Sequence, residues 1–279
     1  MSKETINVKD LKKIQIKILN YFDKFCKKNK LNYWIDCGTL LGAVRHKGYI
    51  PWDDDIDVGM LREDYDRLIQ LSEDFNDNNQ YRFNCYEINR NWQYPMGKVL
   101  DINTILYEPV KKNGIKSSVY IDVFVYDNVP NDEKVIEKMY NRSEWLRKLN
   151  SGQNVKRFYT KEKQKYNFVR GPIYFFLNMF PKNIFIKKRI ENSKKYSKIQ
   201  TSYVGNFMGM TRMKCSKDVF HSFVELEFEG KKYPAPVGYD KWLKSFYGDY
   251  MKLPPQEKRV SHHIFEAYYK DDNNIRDNE

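Results

Sequence analysis

An aspartate set in an otherwise apolar run, Asp122 in SVYIDVFVYD (residues 118–127), is the feature that most restricts how this chain can fold. Val, Ile, Tyr and Phe at this density mark a buried strand. A carboxylate embedded there costs on the order of several kcal/mol unless a basic side chain or a metal ion meets it. Whatever sheet forms must therefore bring positive charge to Asp122.

A second stretch makes the same demand. IPWDDDIDVGM (residues 50–60) gathers Asp53, Asp54, Asp55 and Asp57. Asp55 and Asp57 alternate with Ile56 and Val58, so in an extended strand both carboxylates project from one face while the apolar pair enters the core. Two like charges on one face repel unless a cation lies between them. Oxygen donors of this kind suit Mg²⁺ or Mn²⁺ and leave coordination sites for phosphate oxygens. If strand 118–127 is a neighbour, Asp55, Asp57 and Asp122 form a catalytic triad able to hold one or two metals for in-line attack at phosphorus. Asp54 is expected to face solvent or to support the others.

Upstream, a short strand near 33–36 leads through Gly38-Thr39 into a helical segment at 40–45. Glycine permits close backbone approach, and first-turn amides beside a hydroxyl suit a phosphate. Arg45 and His46 lie between this turn and the acids, and Lys98 follows in PMGKVLD; each is a cation for a diphosphate or, alternatively, a partner in a salt bridge. Trp52 is expected to line a pocket or to pack. Cys26, Cys37, Cys85 and Cys215 show no CxxC pairing and read as reduced structural thiols, with Cys37 packing from a strand.

Leu11, Ile14, Ile18, Phe22 and Phe25 predict an amphipathic helix over 8–29, and REDYDRLIQL a second one. Strand-like pieces at 81–87, 98–108 and 118–127 alternate with helical signals, which gives an α/β (α+β) core over 1–130. Val129-Pro130-Asn131-Asp132 ends it and caps a helix from Glu133. A largely helical basic lobe over 131–200 and a C-terminal segment over 201–279 that completes the site follow.

The formal charge is +12, yet residues 147–200 alone hold 15 Lys or Arg against Glu162 and Glu191. So local a patch attracts nucleic acid, anionic lipid or a phosphorylated substrate. The acidic cluster and the lack of a nucleic-acid motif speak against nucleic acid. Phe175, Phe176, Phe180, Ile184 and Phe185, beside Lys182, Lys187 and Lys188, are candidates for entering a membrane interface; the alternative is a core-packing helix. No apolar run reaches the roughly 18 residues that span a bilayer and the start lacks a signal-peptide core, so a cytoplasmic enzyme, peripheral on the inner face of the plasma membrane, is expected.

YWIDCGTLLGAVRHKGYIPWDDDIDVGM (33–60) closely resembles the signature of the LicD family of phosphocholine transferases, whose distant relatives include fukutin and the fukutin-related protein. YIDVFVYD (120–127), KWLKSFYGDYMKLPP (241–255) and RVSHH (259–263) resemble its later blocks; the basic segment of about 131–200 has no counterpart in it. The resemblance implies a nucleotidyltransferase-like fold and a CDP-activated alcohol as donor. The acceptor would be a sugar hydroxyl of a lipid-linked or polymeric glycan: teichoic acid, capsule or lipopolysaccharide. It implies Asp53, Asp55 and Asp57 as the acidic motif at metal and pyrophosphate, Asp122 as the third acid, Gly38 and Thr39 as the phosphate turn, and His262 and His263 as phosphate or acceptor contacts. Three rivals remain: a nucleotidyltransferase that moves NMP and releases pyrophosphate, a nucleic-acid-binding module, and a non-catalytic glycan binder.

Overall fold

The apolar stripe of the N-terminal segment becomes helix α1 (Val8–Asn29) in the computed structural model, which describes residues 4–108, 115–154, 175–209, 212–260 and 266–270. The Asn7 side chain accepts from the Asp10 amide (3.0 Å) to cap its start, and Lys30 in the left-handed region (φ 52°) closes its end. Leu11, Ile14, Ile18 and Phe22 are buried, with Phe25 packed at the margin of the same core.

Next along the chain come β1 (Trp34–Ile35), α2 (Cys37–His46), β2 (Asp57–Leu61), α3 (Arg62–Gln70), α4 (Ser72–Asn76), β3 (Tyr81–Asn84), β4 (Gly97–Glu108) and β5 (Ile115–Val129). They are followed by α5 (Glu133–Asn154), α6 (Ile184–Lys194), β6 (Tyr203–Asn206), β7 (Met213–Ser216), β8 (Phe223–Phe228), β9 (Lys231–Pro236), α7 (Tyr239–Tyr247) and β10 (Glu266–Tyr269). Among the described residues eight strands make one mixed sheet, with β1-β2-β5-β4-β10 as its path, β3 beside β4, and β6 and β7 extending from β5; β8 and β9 form a separate hairpin. The long β5 is the hub: it runs parallel to β2 on one side and antiparallel to β4 on the other. This is the mixed nucleotidyltransferase-like core that the sequence predicts.

The tail is woven into that core. β6 pairs with the end of β5 (Asp127↔Gly205), β10 pairs with β4, and Thr5 bridges Tyr268, so the segment before α1 meets β10 at one sheet edge. Asp132 caps α5, its carboxylate accepting from the amides of Lys134 (2.8 Å) and Val135 (3.3 Å).

Three expectations need correction. Ile184 and Phe185 do not face outward: Phe185 is buried with Leu146 and Leu177, and Ile184 packs against them, because the aromatic segment folds back on α5. Cys37 lies in no strand; it opens α2 with φ 47°. Asp54 is buried. It lies in the stretch before β2, which begins only at Asp57, and packs inward there with Ile56. The carbonyl of Asp54 accepts from Gln15 Nε2 of α1 (3.0 Å), which ties the acidic loop to the scaffold helix.

Candidate active site

The parallel pairing of β2 with β5 places Asp57 directly opposite Asp122. The backbone fixes this register from both sides: the Asp122 amide donates to the Ile56 carbonyl and the Asp36 amide to the Asp57 carbonyl (both 2.9 Å). Thr39 Oγ1 accepts from the Asp57 amide (2.8 Å), so the hydroxyl expected at a phosphate also joins α2 to β2. Gly38 allows a close approach. A Cβ there would lie 2.5 Å from Asp53 Oδ2, so a larger residue would push this carboxylate away from the start of α2. Gly59 plays a matching structural part, since a Cβ would strike the Trp34 indole at 2.5 Å.

Electrostatics follow from this convergence. Burial, and then the negative charges of Asp55, Asp122, Asp36 and Asp53, push Asp57 well above the usual carboxylate range. Lys98, opposite Asp122 on β4, forms an ion pair with that carboxylate. Its ammonium is buried between aromatic faces, 3.3 Å from the Tyr120 ring centre and 4.5 Å from that of Tyr94. Asp122 thus receives from Lys98 the positive charge its apolar strand demands. Among the described residues no three acids, thiols or imidazoles close into a finished metal cage. The donor chemistry nevertheless suits a hard divalent cation: Asp53, Asp55, Asp57 and Asp122 offer only oxygens, and the raised proton affinity of Asp57 registers the negative potential that such an ion would relieve.

Beside the acids opens a cleft of about 620 Å³ between α2 and the segment after α7. Arg45 lines it and donates to the Tyr250 carbonyl (Nη1, 2.7 Å) and to His46 Nε2 (Nε, 3.0 Å). As an acceptor from a guanidinium, His46 is a neutral ring, and burial followed by the Arg45 charge lowers its pKa accordingly. Arg45 is therefore a cation at the cleft, beside Lys252, and His46 is its support. Trp52 lines the same cleft, edge-on to His46. His262 and His263 lie outside the described residues.

The LicD/FKTN/FKRP nucleotidyltransferase domain model matches residues 30–136, the segment that carries all four acids. Over 272 residues, 96% of this chain and 99% of the relative, the sequence is 34% identical to the lipopolysaccharide cholinephosphotransferase LicD of Haemophilus influenzae. The chain belongs to the LicD family. The ribitol 5-phosphate transferase FKRP of human and mouse is 49% identical over 41 residues, 15% of this chain and 8% of that protein. An uncharacterized protein of Rickettsia prowazekii is 56% identical over 48 residues, 17% of this chain and 18% of that one.

Sequence reasoning missed two members of this LicD-family site. Asp36 is fully buried behind Asp57, its carboxylate accepting from Trp242 Nε1 (2.9 Å) and from the Tyr126 hydroxyl. Burial raises its pKa, and the two donors work against that rise. The same signal that exposed Asp122, an acid inside an apolar strand, was present in YWIDCG. Tyr247, at the end of α7, is the other omission. It is 45% exposed as a residue because it walls an open cleft. Protein nevertheless crowds its hydroxyl, and burial together with the charges of Cys37, Asp57, Asp36 and Asp53 pushes its pKa up.

Proposed function

We propose that this chain is a metal-dependent phosphotransferase that moves a phospho-alcohol, phosphocholine first among them, from a CDP-activated donor to a sugar hydroxyl of a cell-surface glycan precursor. The observation that carries the reading is Asp57 opposite Asp122 in a parallel strand pair, with Asp53 drawn over Gly38 at the head of α2. Full-length similarity to a lipopolysaccharide cholinephosphotransferase supports lipopolysaccharide as the acceptor class, with teichoic acid or capsule as the alternatives.

Bound by Asp53, Asp55, Asp57 and Asp122, Mg²⁺ or Mn²⁺ would neutralise the diphosphate and the charge that develops on the leaving phosphate. The chain's own groups orient and desolvate the reactants. Arg45 offers the donor's phosphates a cation at the cleft. The sugar oxygen attacks the phosphorus that bears the alcohol, the bond from that phosphorus to the CMP oxygen breaks, and CMP departs. Asp122 is engaged by Lys98, which leaves Asp57 as the acceptor of the hydroxyl proton.

Product analysis tests this directly. With CDP-choline, a divalent cation and a glycan acceptor, CMP and a phosphocholine-bearing glycan are expected. Pyrophosphate release from a nucleoside triphosphate, with NMP left on the acceptor, would instead establish the nucleotidyltransferase rival.

We further propose peripheral contact with an anionic membrane. Phe175, Phe176 and Met179 are exposed at 75%, 59% and 70%, and Phe180 at 40%. Lys182, Lys187 and Lys188 stand exposed beyond them. Among the described residues no helix is long and apolar enough to cross a bilayer. Each basic residue near such a surface contributes about 1 kcal/mol, lost as salt screens it. Sedimentation with vesicles that contain phosphatidylglycerol should weaken with salt and on Phe175→Ser with Phe176→Ser; binding indifferent to both would refute the contact.

A further inference from the structure

We propose that the cleft between α2 and residues 247–260 is the subsite for the phosphocholine half of the donor, with Trp52, Tyr247 and Asp249 selecting its quaternary ammonium. This rests on the transferase reading above. A trimethylammonium has no N–H to donate, so no hydrogen bond can hold it; aromatic faces and negative potential can. The cleft supplies both. Trp52, Tyr247 and Tyr250 wall it, and Asp53 and Asp249 stand at its border. Tyr250 is held by its hydroxyl's bond to Asp240 (2.9 Å), and its carbonyl receives Arg45.

Two further observations favour phosphocholine over cytidine. Trp52 already attracts a weakly hydrated cation: the Arg259 guanidinium sits 5.6 Å from its ring centre, within cation–π range. An ammonium entering the cleft would take over this ring face from Arg259. The cleft also pairs opposite charges, since Arg45 and Lys252 line it together with the two aspartates. Phosphocholine is a zwitterion and matches this pairing, anionic end to Arg45 and Lys252, cationic end to the rings and Asp249. Its Asp53 border lies close enough to the reacting acids for the Asp53 charge to act on Asp57, beside which the transferred phosphorus would lie. A polyol such as ribitol or glycerol has no positive charge to offer the rings and Asp249.

The test is calorimetric titration of the full chain with phosphocholine and, separately, with CMP, each with Mg²⁺. Trp52→Leu and Asp249→Asn are expected to weaken phosphocholine binding by about tenfold and about threefold, while CMP binding changes by less than about twofold. Trp52→Phe, which keeps an aromatic face, should retain most of the phosphocholine affinity and shows that loss in Trp52→Leu is not misfolding. Equal loss of CMP affinity would make the cleft the nucleotide subsite and overturn the proposal. So would unchanged phosphocholine binding in both variants, or none by the unmodified chain. Failure of the underlying reading looks different: the unmodified chain would turn over no CDP-alcohol at all.

Discussion

Asp57→Asn is expected to abolish transfer and, at the same time, to make the protein harder to unfold. The loss of turnover, about 10³-fold or more, follows because a neutral amide replaces both an expected cation ligand and the proposed proton acceptor. The gain in stability follows from linkage. In the unfolded chain Asp57 ionises near the ordinary 3.8, whereas in the folded protein burial and the charges of Asp55, Asp122 and Asp36 hold its proton to well above that value. Between the two values the folded state binds the additional proton, so stability falls as pH rises through this window. Asn carries no charge to expel and escapes the penalty. Its advantage should be absent near about pH 4 and grow toward neutrality, read as a rise in Tm over the unmodified protein that widens with pH. Thermal unfolding across that range, with chelator present so that bound cation does not stabilise the unmodified protein, is the measurement. A variant that still transfers, or one that is no more stable at neutral pH, would remove Asp57 from the centre of the site.

The acids were legible because strand geometry makes charge conspicuous. Asp122 between Ile121 and Val123, and Asp55 and Asp57 alternating with apolar neighbours, are anomalies that a period of two converts into a shared face. Asp54 was not legible in this way, because β2 begins only at Asp57 and the inward turn of the stretch before it has no period. What could not be read was tertiary. Nothing local says that Trp242 of α7 reaches back to Asp36, or that the segment after α7 folds against α2 to wall a cleft. The pairing of β6 with β5 and of β10 with β4 is likewise long-range, so the tail's place in the sheet has no periodic signature. Lys98 lay between these extremes: a salt bridge to an acid was one of its two readings, but only the antiparallel register of β4 on β5 names Asp122 as the partner. The aromatic segment around Pro181 divides in the same way, since contact with α5 decides which rings are buried.

That long-range dependence gives the largest expected loss of stability, at Arg62. This residue opens α3 directly after β2, and its guanidinium grips the carboxylate of Asp127 on β5 through two bonds, Nε to Oδ1 at 2.7 Å and Nη2 to Oδ2 at 2.9 Å. Ser193 of α6 donates to the same carboxylate, so one buried acid joins a strand and two helices. Burial by itself would lower the Arg62 pKa; Asp127 outweighs it and keeps the guanidinium charged. Asp127 is fully buried. Arg62→Ala would leave its charge in a dry site with a single hydroxyl donor, a change that costs about 3–5 kcal/mol. Urea unfolding should register that loss. Arg62→Met combined with Asp127→Leu removes both charges together and should lie much nearer the unmodified protein, because the penalty belongs to the stranded carboxylate rather than to a missing attraction. A loss below about 1 kcal/mol in Arg62→Ala would mean that water reaches Asp127 when the guanidinium goes. The expected loss has a catalytic corollary. Leu61, the last residue of β2, pairs with Tyr126 immediately before Asp127, so this ion pair clamps the same strand register that sets Asp57 against Asp122 four pairs away. Turnover of Arg62→Ala should therefore decline at temperatures where its bulk fold, followed by circular dichroism, is still intact.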